Sequence, residues 1–171
     1  MKIYFITSKM KNTNTAAGSV VMLRFMMKEL IKLGNDVTCI TVFSKFNDLT
    51  ESVPFGMIKE NVDSPRLLPI HWNVFKILKK HENDCDIFYI DGQFMYGGGL
   101  YRLLGGKRPV FANIIRPPLV MDEYVSPIFH GQGKNFSLKT SLVAIKKKIR
   151  WFIDRFILTR LASRVDFVSV I

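Results

Sequence analysis

Apolar and polar positions fall along the chain in blocks whose lengths and periods separate strands from helices. The run Ile3-Tyr4-Phe5-Ile6 has the length and composition of a fully buried strand. A polar stretch from Thr7 to Thr15 follows, then the small residues Ala16-Ala17-Gly18-Ser19. From Ser19 onward Val20, Leu23, Met27, Leu30 and Ile31 recur at helical spacing. Gly34 stands where a left-handed residue ends a helix, and Lys32 in the last turn suits the helix dipole. Asp36 to Phe43 is rich in β-branched residues and reads as the next strand. The three pieces predict a strand–helix–strand unit with parallel strands.

The same reading continues through the chain. Val53 to Lys59 is a short edge strand at most, because Pro54 and Gly56 weaken pairing. Pro65 and Pro69 mark turns, and Ile70 to Glu82 is helical, with Val74, Ile77 and Leu78 on one face and Lys76, Lys79 and Lys80 on another. Asp86 to Ile90 is a buried strand ending at Asp91-Gly92. Phe94 to Gly99 reads as a glycine-rich connector, and Leu100 to Leu104 as a short helix closed by Gly105-Gly106. Pro109 to Ile115 is another strand, terminated by Arg116-Pro117-Pro118, and Met121 to Phe136 a long loop of the kind that usually carries function. Ser137 caps a long helix reaching about Ser163, apolar at Leu142, Ile145, Ile149, Phe152, Ile153, Phe156, Ile157 and Leu161. Asp166 to Ile171 is the final strand. Strands alternating with helices predict a doubly wound α/β domain, a mostly parallel, Rossmann-like sheet. Ligands of such sheets bind at the carboxyl ends of the strands. That rule selects Thr7 to Ser19, Phe43-Ser44, Asp91 to Gly99 and Ile115 to Lys134.

Composition narrows the partners. With 171 residues, 48% hydrophobic and 23% charged, the chain has the size and make-up of one folded domain. A net charge of +11 favours anionic partners: a membrane surface, a phosphorylated substrate or nucleic acid. The excess concentrates between Lys134 and Arg164, where nine basic residues face the single acid Asp154. No nucleic-acid reader motif accompanies the charge, which argues against nucleic acid. Cys39 and Cys85 sit in or beside buried strands and read as reduced apolar filler without metal-ligand spacing. The N-terminus lacks a signal-peptide core, and no uncharged apolar run approaches the ~20 residues of a membrane span. The expectation is a cytoplasmic protein, soluble or peripheral on the inner face of the membrane.

Candidate chemistry lies in the loops. Ala17-Gly18-Ser19 opens a helix, where free N–H groups and the dipole favour an anion, and Gly18 lets a phosphate approach the backbone; an ordinary turn into a helix is the alternative. Neither G-x-G-x-x-G nor G-x-x-x-x-G-K-[ST] is present, which argues against a nucleotide-dependent oxidoreductase. Asp91 follows a buried strand and can orient a sugar hydroxyl or act as a base, or it is a plain turn-forming Asp-Gly. Arg116 holds the matching place after the next strand and can neutralise a phosphate. Asp122, Glu123 and His130 read as solvated loop residues; His71 and His81 have no role suggested by spacing. Lys146, Lys147, Lys148 and Arg150 lie on the polar side of the long helix, with Trp151, Phe152 and Phe156 opposite. Such a helix either lies on an anionic membrane or packs on the sheet with its charge in water.

Taken in order, several segments resemble the N-terminal domain of family 4 glycosyltransferases of the GT-B fold. They are Lys2-Ile3-Tyr4-Phe5-Ile6-Thr7, the small-residue loop at Ala17-Gly18, Gly34-Asn35-Asp36-Val37, Asp86-Ile87-Phe88-Tyr89-Ile90-Asp91-Gly92, Pro109-Val110-Phe111 and Arg164-Val165-Asp166-Phe167-Val168-Ser169-Val170. The resemblance implies that residues 1–171 are the acceptor-side, N-terminal half of a GT-B fold. It implies transfer of a sugar, with retention, from a nucleotide-sugar co-substrate to a glycan or lipid-linked acceptor, with no cofactor. Ala17, Gly18 and Ser19 would then approach the donor diphosphate, with Ala17-Gly18 where the family usually has Gly-Gly. Family members often carry histidines after the fourth and fifth strands; Tyr89, Asp91 and Ile115-Arg116 stand in those places. A C-terminal domain or partner chain would supply most donor contacts, and the chain is expected to be inactive alone. The competing expectation is a non-catalytic module that binds anionic membrane or a partner chain through residues 134–164.

Overall fold

A computed structural model describes residues 1–16, 18–62, 67–114, 156 and 159–170. The described strands are β1 (Lys2–Thr7), β2 (Asp36–Thr41), β3 (Gly56–Lys59), β4 (Ile87–Asp91), β5 (Val110–Ile114) and β6 (Phe167–Val170). They form one sheet in the order β3-β2-β1-β4-β5-β6, and each neighbouring pair runs parallel. The described helices are α1 (Gly18–Lys32), α2 (Leu67–Lys80), α3 (Met95–Leu103) and a short α4 (Thr159–Ala162). This is the doubly wound, Rossmann-like α/β architecture expected from the alternation of periods. Strand order reverses between β1 and β4, the place where such sheets leave a crevice.

Side-chain alternation divides the core in two. Tyr4, Ile6, Ile40, Phe88, Ile90, Val110 and Ala112 face α2 and α3, packing with Val74, Leu78, Met95 and Tyr101. Ile3, Phe5, Val37 and Cys39 face the other way and are covered by Leu23 and Met27 of α1. Gly34 ends α1 as expected, at φ 82°, and the Asn35 N–H donates to the Leu30 carbonyl at 3.1 Å.

The structure corrects several boundaries. The edge strand shrinks to Gly56–Lys59. Pro69 lies inside the first turn of α2, which begins at Leu67; a proline there sacrifices an N–H with no helical partner in any case. The loop after β1 is not wholly polar, because Met10 is fully buried under α1. The largest correction concerns the glycines. Gly97, Gly98 and Gly99 are not a connector but the middle of α3. A Cβ on Gly97 would come within 2.6 Å of Val74, and one on Gly98 within 2.8 Å of Ile90 and Val110. A Cβ on Gly99 would collide with the backbone carbonyl of Leu161 on α4. Close packing against three partners outweighs the helix-propensity cost of three glycines. The expected long helix from Ser137 lies outside the described residues, except near its end, where α4 is found.

Candidate functional site

Each strand carries a polar residue at its carboxyl end or one position before it, and the register lines these residues up. Lys59 pairs with Thr41, Thr41 with Thr7, Asp91 with Asn113, and Asn113 with Ser169. Between β1 and β4 the row is closed by a hydrogen bond, Thr7 Oγ1 donating to Asp91 Oδ2 at 3.5 Å. One polar residue from each strand therefore forms a row across the carboxyl end of the sheet, on the α1 face. Two residues inward on that face the row is apolar: Met57, Cys39, Phe5, Tyr89, Phe111 and Phe167. The sheet thus changes from apolar floor to polar rim within one side-chain period.

The N-terminus of α1 closes the row into a cleft. Ser19, Val20 and Leu23 form one wall, and Thr7, Tyr89, Asp91 and Asn113 the other, of a shallow cleft open to solvent. Gly18 stands at the rim, and nothing lies within 4 Å of where its Cβ would be. N–H groups at a helix start favour negative charge, while Asp91 and Asn113 offer acceptor oxygens on the strand side. The cleft therefore has an anion-accepting side and a side rich in acceptors. Burial raises the Tyr89 phenol pKa, and the neighbouring Asp91 carboxylate raises it further, so Tyr89 stays neutral. Its ring packs on Phe5 at 4.7 Å between centroids. Asn113 is only 5% exposed, and its Oδ1 is buried without a hydrogen-bond partner.

A second network fixes the loop leading into α1. Arg24, 4% exposed on α1, donates to the Lys11 carbonyl at 3.0 Å and to Glu51 Oε2 at 2.7 Å. Glu51 also accepts from the Thr13 backbone N–H and hydroxyl. Asn47 Oδ1 accepts from the Met10 N–H, and its amide nitrogen donates to the Thr41 hydroxyl, tying loop to row.

Of the residues singled out from sequence, Asp91 and Ser19 line one cleft and Gly18 borders it. Ala17, Arg116, Lys146, Lys147, Lys148 and Arg150 lie outside the described residues, as do Asp122, Glu123 and His130. His71 and His81 sit on or just beyond α2, away from the cleft. Cys39 and Cys85 are buried free thiols pushed up to about 12, chiefly by burial, as apolar filler should be. Sequence reasoning reached Thr7 only as the first residue of a selected loop and missed Asn113 and Arg24. The available signal was a polar residue closing the apolar runs of β1, β2 and β4, and in β5 an asparagine inside one. Among the described residues no group of three metal-ligating side chains occurs, and no helix is long and apolar enough to cross a membrane. In comparisons with known proteins, no protein-family model and no curated protein matches the chain.

Proposed function

We propose that the chain is the acceptor-side domain of a retaining, GT-B type glycosyltransferase. In this reading it helps move a sugar from a nucleotide-sugar to a glycan or lipid-linked acceptor and needs a second, donor-binding domain. The observation that carries the reading is the two-sided cleft at the β1–β4 switch point, with a helix N-terminus facing Asp91 and Asn113. A glycosyl phosphate has the same two-sided character, an anion joined to a ring of hydroxyls. Gly18 and Ser19 then receive diphosphate oxygens on backbone N–H groups. Asp91, held by Thr7, orients or deprotonates an acceptor hydroxyl. Val21, Met22 and Phe25 form an exposed apolar patch beside Ser19 on α1, which supports an acceptor with a lipid portion.

The test is a transfer assay with uridine diphosphate glucose and guanosine diphosphate mannose as donors and a polyprenyl phosphate as acceptor. The expected result is no glycolipid from residues 1–171 alone and product once a donor-binding domain of this enzyme type is joined to them. Asp91→Asn in the joined protein is expected to lower the rate by about 10²-fold or more. Robust turnover by residues 1–171 alone would contradict the need for a second domain. An unchanged rate in Asp91→Asn would remove Asp91 from the chemistry.

A further inference from the structure

We infer that Asn113 determines what the cleft accepts, its amide gripping a vicinal diol on a sugar ring together with the Asp91 carboxylate. The inference rests on the carbohydrate reading of the cleft and adds to it a residue and a recognised group.

The argument starts from burial. An amide oxygen enclosed without a partner costs stability, and a leucine would fill nearly the same volume without that cost. Asn113 sits on a strand facing the cleft rather than in a turn, so its polarity serves no capping or turn purpose. Its register partners are Asp91 and Ser169, both polar, whereas the residues two positions earlier are Phe111, Tyr89 and Phe167. The amide therefore belongs to a polar row, between Asp91 and Ser169, and lines the cleft.

Ligand chemistry follows from the neighbours. Asp91 is an acceptor of hydrogen bonds, which suits a donating hydroxyl on the strand side better than a phosphate. A hydroxyl both donates and accepts, so it satisfies Asn113 in either rotation of the amide and also donates to the carboxylate. Adjacent parallel strands are ~4.8 Å apart, which lets two side chains converge on neighbouring hydroxyls of one ring. Tyr89 beneath them offers a ring edge or face to the apolar side of a sugar. Two sources present this diol: the ribose of a nucleotide and the pyranose of a glycosyl group.

The experiment follows backbone and side-chain amide resonances of the nitrogen-labelled chain by NMR. Uridine diphosphate glucose and guanosine diphosphate mannose are the first probes. Uridine monophosphate against its 2′-deoxy analogue reports the ribose, and methyl glucoside and methyl mannoside report the pyranose. The expected result is a shift of the Asn113 side-chain amide in step with Ser19 and Asp91. Either the deoxy substitution abolishes it or the methyl glycosides reproduce it. Asn113→Leu is expected to raise Tm by about 2–4 °C and to weaken binding about tenfold or more. If Ser19 and Asp91 shift while the Asn113 amide stays still and Asn113→Leu binds equally well, this inference fails and the carbohydrate reading stands. If no cleft residue responds to any probe at about 10 mM, both fail.

Discussion

Asp91 on β4 and Asn113 on β5 are register partners at the carboxyl end of the sheet, and both line the cleft closed by the start of α1. Their adjacency depends on the register of that parallel pair, since a one-residue slip of β5 would turn Asn113 into the α2–α3 core and Ala112 toward the cleft. The buried neighbours Val110 and Ala112 on the opposite face fix that register.

Glycine positions separate structural from functional use of the same residue. Gly99→Ala drives a methyl into the Leu161 carbonyl, and backbone cannot yield as a side chain can. A loss of about 2–3 kcal/mol, read as a lower midpoint in urea unfolding, is expected. Gly18→Ala meets open space and should leave stability within about 0.5 kcal/mol of the parent. Its effect should appear instead as weaker binding of uridine diphosphate glucose, because the methyl stands where a phosphate would approach. Equal stability losses in the two variants would contradict this division.

The Arg24–Glu51 pair makes the loop after β1 part of the rigid scaffold. Glu51 is held below the usual carboxylate range by the Arg24 guanidinium and by the Thr13 N–H and hydroxyl. Arg24→Ala removes the clamp, and the Thr13 amide, which donates to Glu51 at 2.7 Å, should lose hydrogen-exchange protection. Amides in β4 should keep theirs. Loss of protection throughout the sheet would mean that Arg24 supports the whole fold rather than the loop.

Acid should destabilise the protein in two steps of the same sign. His71 is buried with neither ring nitrogen hydrogen-bonded, and burial pushes it down to about 4. It therefore folds neutral, and its contribution is complete above 6.5 and lost as pH falls from 6.5 toward 4. Allowing for solvent screening, the loss is about 2 kcal/mol. Burial pushes the Glu82 carboxyl up, but the Tyr101 hydroxyl, the Lys107 N–H and the Lys79 ammonium outweigh it and hold it at about 2. Its contribution is present above 4.5 and lost between 4.5 and 2. His71→Phe, which keeps an edge contact to Tyr96, should flatten the upper step alone. Stability independent of pH between 6.5 and 4 in the parent would contradict the assignment.

How legible these features were depends on the range of the cause. β1, α1 and β2 were readable because period, cap and turn residue agree locally, and Asp91 was found because it follows an apolar run directly. The α3 glycines were misread because their reason lies in Val74, Ile90, Val110 and Leu161, far away in sequence. Asn113 was passed over for the same reason. Its neighbours within the strand are apolar, and only pairing with Asp91 and Ser169 reveals a polar row. Nothing local singles out Arg24, because its partner Glu51 lies in a different loop of the chain.

The proposed function requires the cleft between α1 and the polar row to bind a sugar-bearing anion. Titrating the nitrogen-labelled chain with uridine diphosphate glucose and guanosine diphosphate mannose tests it most directly. The account predicts that the backbone amides of Gly18, Ser19, Asp91 and Asn113 shift together on one saturable curve, with Kd of about 1 mM for half a site. Shifts confined to the outer surfaces of α2 and α3, or none in the cleft, would contradict it.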